Sequence, residues 1–266
     1  MNATADVAVN LVRARRAIRR AAEAGATLAV LPENFACMPA SSRDRRRVFE
    51  RDGTGPMQDF LAATSARFGI WLIGGTVPIR VDDSRASAAV LVYDSEGHRQ
   101  ARYDKMHLFD VHVAERNERY CESRHFAPGD RAVAVDTPLG RMGLAVCYDL
   151  RFPELFRYLA LREGCTLFAV PSAFTASTGA AHWRTLLTAR AIENQCFLLA
   201  AAQTGRHDDG RETHGESMIV GPWGEKLAAL KRRPGTAIAE LDTAAQRNLR
   251  RRFPVLDHAR FFQGKT

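Results

Sequence analysis

An internal repeat constrains this chain most. "EAGATLAVLPE" (23–33) is echoed by "REGCTLFAVPS" (162–172). Each has a glycine where a helix should stop, then a short apolar run of strand type, then proline. A helix–strand unit follows each echo, "TGPMQDFLAATSARFGIWLIGGT" (54–76) in one case and "TGAAHWRTLLTARAIENQCFLLAAA" (178–202) in the other. A third element repeats as well. "SAAVLVYDSEGHRQAR" (87–102) and "ESMIVGPWGEKLAAL" (216–230) both read as hairpins around a glycine turn. Strands joined by helices pair in parallel and bury both sheet faces. Two such halves facing each other predict an α/β fold: a four-layer α-β-β-α sandwich of two pseudo-symmetric halves, forming one domain over residues 1–266.

The repeat is uneven at one place. "RMGLAVC" (141–147) is an expected strand before the second half's first helix, but the first half's helix starts near Asp6 with nothing matching before it. The first N-terminal strand is therefore expected to be missing. Either the halves differ there or the start codon is placed too far downstream, in which case about ten more residues, one strand length, are expected to be encoded upstream.

The same unevenness draws attention to Cys147, in "GLAVCYDLRFPELFR". A thiol at the C-terminal end of a strand, before a turn and a helix that Pro153 can start, lies where open α/β sheets collect ligands. A nearby helix N-terminus would favour its thiolate. The plainer alternative is a buried thiol that merely ends a strand. Glu33, in "LAVLPENF", ends the echoing strand, and a carboxylate there is solvated, paired or functional. Lys105 follows the strand "HRQARYD" in a chain with only four lysines; it is either an exposed strand end or a compact charge for one oxyanion. Together a thiol, a carboxylate and an ammonium can attack a carbonyl, move protons and steady the oxyanion. A Cys–His pair using His107 or His182 competes with that set.

Composition removes other classes. The five cysteines are odd in number and lack CxxC spacing, so neither a disulfide framework nor a zinc site is expected. GxSxG, GxxxxGK[ST], HExxH and GxGxxG are absent. No apolar run approaches the roughly 18–20 residues of a membrane span, and no signal-peptide pattern opens the chain, so a cytoplasmic protein with no membrane partner is expected. The net charge of +8 lies in arginine clusters at 13–20, 43–51 and 247–252. These read as solvated helix faces, with no nucleic-acid partner expected. A basic nucleic-acid-binding module or a non-catalytic scaffold is the non-enzyme alternative.

At these residues the sequence resembles the nitrilase superfamily of carbon–nitrogen hydrolases. It is similar in particular to the Nit branch, which includes deaminated glutathione amidases and ω-amidases. The resemblance covers about residues 6–262 and rests on "LAVLPENF", "YDKMHLFDV", "YCESRHFAPGD" and "GLAVCYDLRFPEL" in that order. It implies Glu33 as general base, Lys105 as catalytic lysine, Cys147 as nucleophile and Glu122 as a second glutamate that positions the lysine. It also implies the sandwich fold and a cysteine-dependent amidase. Such an enzyme releases ammonia from a small carboxamide through a thioester, without metal or cofactor. The backbone N–H of Tyr148 is the expected second oxyanion donor, and Arg151, Phe174 and Thr175 are expected to line the substrate pocket. The helices after Cys147 carry apolar residues on more than one face, so at least a homodimer is expected. "AAAQTGRHDDGRETHGESMIVGPWG" is closer to the deaminated glutathione amidases; an ω-amidase or an N-carbamoyl amino-acid hydrolase is the alternative on the same fold. Glu216 stands where relatives often have histidine, and an acid there is expected to alter local hydrogen bonding or the pocket.

Overall fold

A computed structural model of the chain describes residues 1–113 and 118–261. Helix α1 (Val7–Glu23) is capped by Asp6, whose side chain accepts from the Val9 N–H at 3.0 Å. Ala14, Ile18 and Ala21 recur at helical spacing on its buried face. Strand β1 (Leu28–Val30), helices α2 (Ser42–Arg47) and α3 (Pro56–Phe68), and strands β2 (Trp71–Arg80), β3 (Ala86–Tyr93) and β4 (Arg99–Asp104) complete the first half. Its sheet has the order β1-β2-β3-β4, with β1 and β2 parallel and the rest antiparallel.

A small hairpin, β5 (Asp110–Val113) and β6 (Glu118–Cys121), leads into the second half. There β7 (Ala134–Thr137) and β8 (Gly140–Leu144) precede α4 (Pro153–Leu161), β9 (Leu167–Ala169), α5 (Ala176–Asn194) and β10 (Phe197–Ala200). The pair β11 (Thr204–Arg206) and β12 (Glu212–His214) comes next, followed by β13 (Met218–Val220), β14 (Lys226–Ala229) and α6 (Thr243–Arg252). The second sheet runs β14-β13-β10-β9-β8-β7. The order β9-β10-β13-β14 therefore repeats β1-β2-β3-β4, as the repeat predicts. Beyond β9 lie β8 and β7; beyond β1, among the described residues, the first sheet has no strand.

The layers are legible in side-chain alternation. On β2 and β3, Ile73, Val90 and Val92 join a core shared with Met142, Leu144 and Leu167 of the second sheet. Their neighbours Leu72, Ala89 and Leu91 point the other way, into a core with Ala14 and Ile18 of α1 and Leu61 of α3. Successive strand residues face opposite sides, so one sheet serves two cores. Every residue of β3 is buried. On the far side, Phe156 and Leu159 of α4 and Trp183 and Leu187 of α5 cover the second sheet. Each fully buried side chain of this size contributes roughly 1.5–3 kcal/mol. No described helix is long and apolar enough to cross a membrane.

Two expectations are adjusted. The strand predicted over 141–147 is assigned only to Leu144, but its ladder continues: Ala145 N–H donates to Ala169 O at 3.1 Å and Cys147 N–H to Pro171 O at 2.9 Å. The arginine clusters are mostly solvated, with two exceptions. Arg250 donates to the carbonyls of Gln195 and Cys165, and Arg45 turns into the cavity described next.

Candidate active site

Glu33, Lys105, Glu122 and Cys147 all line one open cavity at the C-terminal ends of β1 and β8. Its empty space is about 870 Å³ including the mouth.

Glu33 is held by its backbone from both halves. Leu31 N–H donates to Ile73 O at 2.9 Å, which extends the β1–β2 ladder to the loop. The fully buried Gln203 amide donates to the carbonyls of Glu33 and Asn34 at 3.1 and 3.2 Å. Gly75 makes room for the loop. Its φ is +31°, and an added Cβ would lie 2.1 Å from Pro32 O. The Glu33 carboxylate then accepts from the Ala173 N–H at 2.7 Å and from Lys105 Nζ at 2.9 Å.

Lys105 follows β4 and is fully buried. Gly129 N–H donates to its carbonyl at 2.9 Å, and Gly129 is needed because a Cβ would stand 2.1 Å from Asp104 O. Its Nζ lies 2.9 Å from both oxygens of Glu122. Burial alone would lower the Lys105 pKa; the charges of Glu122 and Glu33 overcome it and hold the group well above its ordinary value. Glu122 also accepts from the Phe109 N–H at 2.7 Å. The ammonium is thus fixed between two carboxylates, each anchored to a backbone donor.

Cys147 sits at φ +47°, a left-handed conformation uncommon outside glycine. A 3-10 turn (Cys147–Arg151), not a long helix, begins there; α4 starts only at Pro153. The turn is tied down by the fully buried Asp149, which sequence reading missed. Its carboxylate accepts from the Val146 N–H at 2.7 Å, Tyr103 OH at 2.7 Å and His107 N–H at 3.1 Å. It also meets His107 Nδ1 at 2.7 Å. Tyr103 and His107 flank Lys105, so one carboxylate ties the thiol's turn to the lysine's strand end. A charged residue two positions past the cysteine was the only sequence signal.

The expected helix-favoured thiolate is not what this environment gives. Burial pushes the Cys147 thiol well above its ordinary pKa, and the neighbouring Glu33 charge and its hydrogen bond push further, against Lys105 and the Ala173 N–H. His107 stacks on Phe152 with centroids 3.6 Å apart, and His182 Nδ1 lies 3.3 Å from Arg151. Neither histidine lines the cavity, so the carboxylate, not an imidazole, faces the thiol.

Tyr148, Arg151, Phe174 and Thr175 line the cavity. The Arg151 guanidinium lies over the rings of Phe174, 5.1 Å away, and Tyr148, 6.0 Å away. Glu216 does not line it. Its carboxylate lies 2.9 Å from Arg184 and 3.5 Å from His214, and Trp183 Nε1 donates to its carbonyl. The acid at that position fastens the loop before β13 to α5 rather than reshaping the pocket. The wall formed by Arg45, Phe126 and Arg211 was also missed. No group of metal-ligating side chains occurs among the described residues.

A family model described as carbon-nitrogen hydrolase matches residues 1–251. The chain is 40% identical over 254 residues to a protein of Yersinia enterocolitica named deaminated glutathione amidase, covering 95% of this chain and 88% of that one. Among solved structures it resembles the C. elegans NitFhit protein, with a TM-score of 0.90 and 37% identity over 98% of this chain and 63% of that longer one. It also resembles an amidase from Nesterenkonia sp. AN1, with a TM-score of 0.78 and 26% identity over 96% of this chain and 95% of that one. In a Glu-to-Gln variant of that amidase, acrylamide has added to the active-site cysteine.

Proposed function

The chain belongs to the carbon–nitrogen hydrolase family and is an amidase, and we propose that it hydrolyses the amide of a small anionic acid, deaminated glutathione first, with Cys147 as nucleophile. The carrying observation is buried Glu33 and Lys105, with half-buried Glu122, beside that thiol.

Glu33 takes the thiol proton as sulfur attacks the amide carbon. Lys105 and the Tyr148 N–H hold the tetrahedral oxyanion, and losing one such donor typically costs about 100- to 1000-fold in rate. The carbon–nitrogen bond breaks as Glu33 returns the proton to the leaving nitrogen. From a primary carboxamide the leaving group is ammonia; from deaminated glutathione it is the amine of cysteinylglycine. The thioester on Cys147 is cleaved by a water that Glu33 deprotonates, which releases the acid and restores the thiol. Glu122 positions Lys105 throughout. Arg151 supplies a cation for a substrate carboxylate, with Phe174 and Thr175 beside it.

The acting form is a homodimer built on the outer face of the second half. That face exposes Tyr158 of α4 and Ile192 of α5, and Trp223 and Phe253 pack edge to face beside it. Light scattering that gives only the monomer mass overturns this part. Five free cysteines, one of them the nucleophile, suit the reducing cytoplasm.

The test offers a panel of amides, including deaminated glutathione, 2-oxoglutaramate and N-carbamoyl amino acids. It measures released ammonia or amine and looks for an acyl mass on Cys147. Deaminated glutathione should be turned over fastest, and Cys147→Ala should abolish both signals. Full turnover by Cys147→Ala overturns the mechanism.

A further inference from the structure

Three guanidinium groups line the cavity, and the mechanism above uses only Arg151. Arg211 is paired with Asp209. Arg45 is not accounted for. Its neighbours Arg43, Arg46, Arg47 and Arg51 are exposed, whereas Arg45 is half-buried and faces the cavity. Its guanidinium lies 5.5 Å from the centre of the Phe126 ring, and its Nε is buried without a hydrogen-bond partner.

The nearby acids do not fill that need. Burial and the Arg211 cation lower the Arg45 pKa, while Glu122 and Asp209 act on it only through their charge. Glu122 is bonded to Lys105 and the Phe109 N–H, and Asp209 to Arg211. A buried guanidinium donor with no acceptor is costly, and its planar fork matches a carboxylate. Arg45 thus keeps an unmet donor on that wall, beside an Arg211 that Asp209 pairs and near the lining Glu212.

Arg151 belongs to another wall, with Tyr148 and Phe174, on the side of Cys147. Arg45 stands beside Phe126 on the Glu122 side. We infer that Arg45, with Arg211 beside it, forms a second anionic subsite that takes the carboxylate remote from the scissile bond, so that the enzyme selects amides carrying a carboxylate at each end. The inference rests on the amidase reading and deepens it. Arg151 binds the carboxylate nearer the thiol and Arg45 the farther one. Deaminated glutathione has both; 2-oxoglutaramate has only the first.

The test compares deaminated glutathione with an analogue whose glycine carboxylate is replaced by an alcohol. The parent enzyme should prefer the acid by roughly 10- to 100-fold in kcat/KM, the range of a charge-assisted hydrogen bond, and the difference should lie in KM. Arg45→Met should bring the two compounds to within about threefold of each other, and Arg45→Lys should restore part of the preference. The same pair is then titrated calorimetrically into Cys147→Ala, with and without Arg45→Met, so binding is read without turnover. An undiminished preference for the acid in Arg45→Met, or none in the parent, overturns the subsite. If neither compound is cleaved, the deaminated glutathione reading fails on its own, and the calorimetric preference still decides Arg45. Arg211→Met, which should reduce the preference less, guards against a folding defect at Arg45.

Discussion

Cys147 rests as a neutral thiol, because burial and the Glu33 charge raise its pKa more than Lys105 lowers it. The first step then needs a base in reach rather than a preformed thiolate. Glu33→Gln removes that base and also one of the groups that keeps the proton on sulfur. The two consequences have opposite signs. Turnover should fall about 100- to 10,000-fold, while alkylation of Cys147 by iodoacetamide should begin at a lower pH than in the parent. Lys105→Met should move the alkylation onset to higher pH, because the cation that favours the thiolate is gone. Mass spectrometry of Cys147 after timed alkylation across pH 7–10 reads both shifts. If Glu33 served only the fold, turnover and alkylation would fall together.

Two loops carry the reacting groups, and each has one residue on which its path depends. Gly75 sits where the ladder between β2 and β3 shifts register, and its missing side chain leaves space for Pro32 O. Gly75→Ala puts a carbon against that backbone and strains φ +31° as well. Glu33, next after Pro32, would be displaced, and a misplacement near 1 Å costs about 100-fold. The expected result is a loss of kcat well out of proportion to the fall in melting temperature. Asp149 serves the other loop. Asp149→Ala would leave the Val146 N–H and Tyr103 OH unpaired in the core, at about 1–3 kcal/mol each. Denaturant melts should show a loss of ~3 kcal/mol. Neither anchor was legible in the sequence. A glycine in "LIGGT" and an aspartate in "CYDLR" carry no local mark of what crosses over them.

At the scale of the whole molecule, legibility followed the range of the interaction. The order of helices and strands was written locally, in apolar runs between glycine and proline, so the repeat gave both sheets and their facing. Glu33, Lys105, Cys147 and Glu122 were found through motif context. Arg45 was not, because nothing in "SSRDRRRVFE" separates it from Arg46; only the packing of α2 on Phe126 does. The join between the halves is also a long-range fact. Residues 1–5 run beside residues 202–208: Thr204 N–H donates to Met1 O at 2.8 Å and Ala3 N–H to the Gln203 side chain at 3.1 Å. The buried His207 closes this seam, with Nδ1 2.9 Å from Ala3 O and Nε2 2.8 Å from Thr213 Oγ1. Burial lowers its pKa, with Arg211 adding to the effect and Ala3 O, Asp209 and Asp208 opposing it. The folded state therefore binds the proton less readily than the unfolded chain, whose histidine titrates near 6.5. The stabilising contribution is present above about pH 6.5 and is lost as pH falls through the folded value. His214, also lowered by burial, adds a second step of the same sign. The melting temperature should thus decline as the pH falls below about 6.5, and His207→Gln, which keeps a donor for Ala3 O without titrating, should make that decline shallower. An unchanged slope in His207→Gln would mean that the seam does not sense acid through this residue.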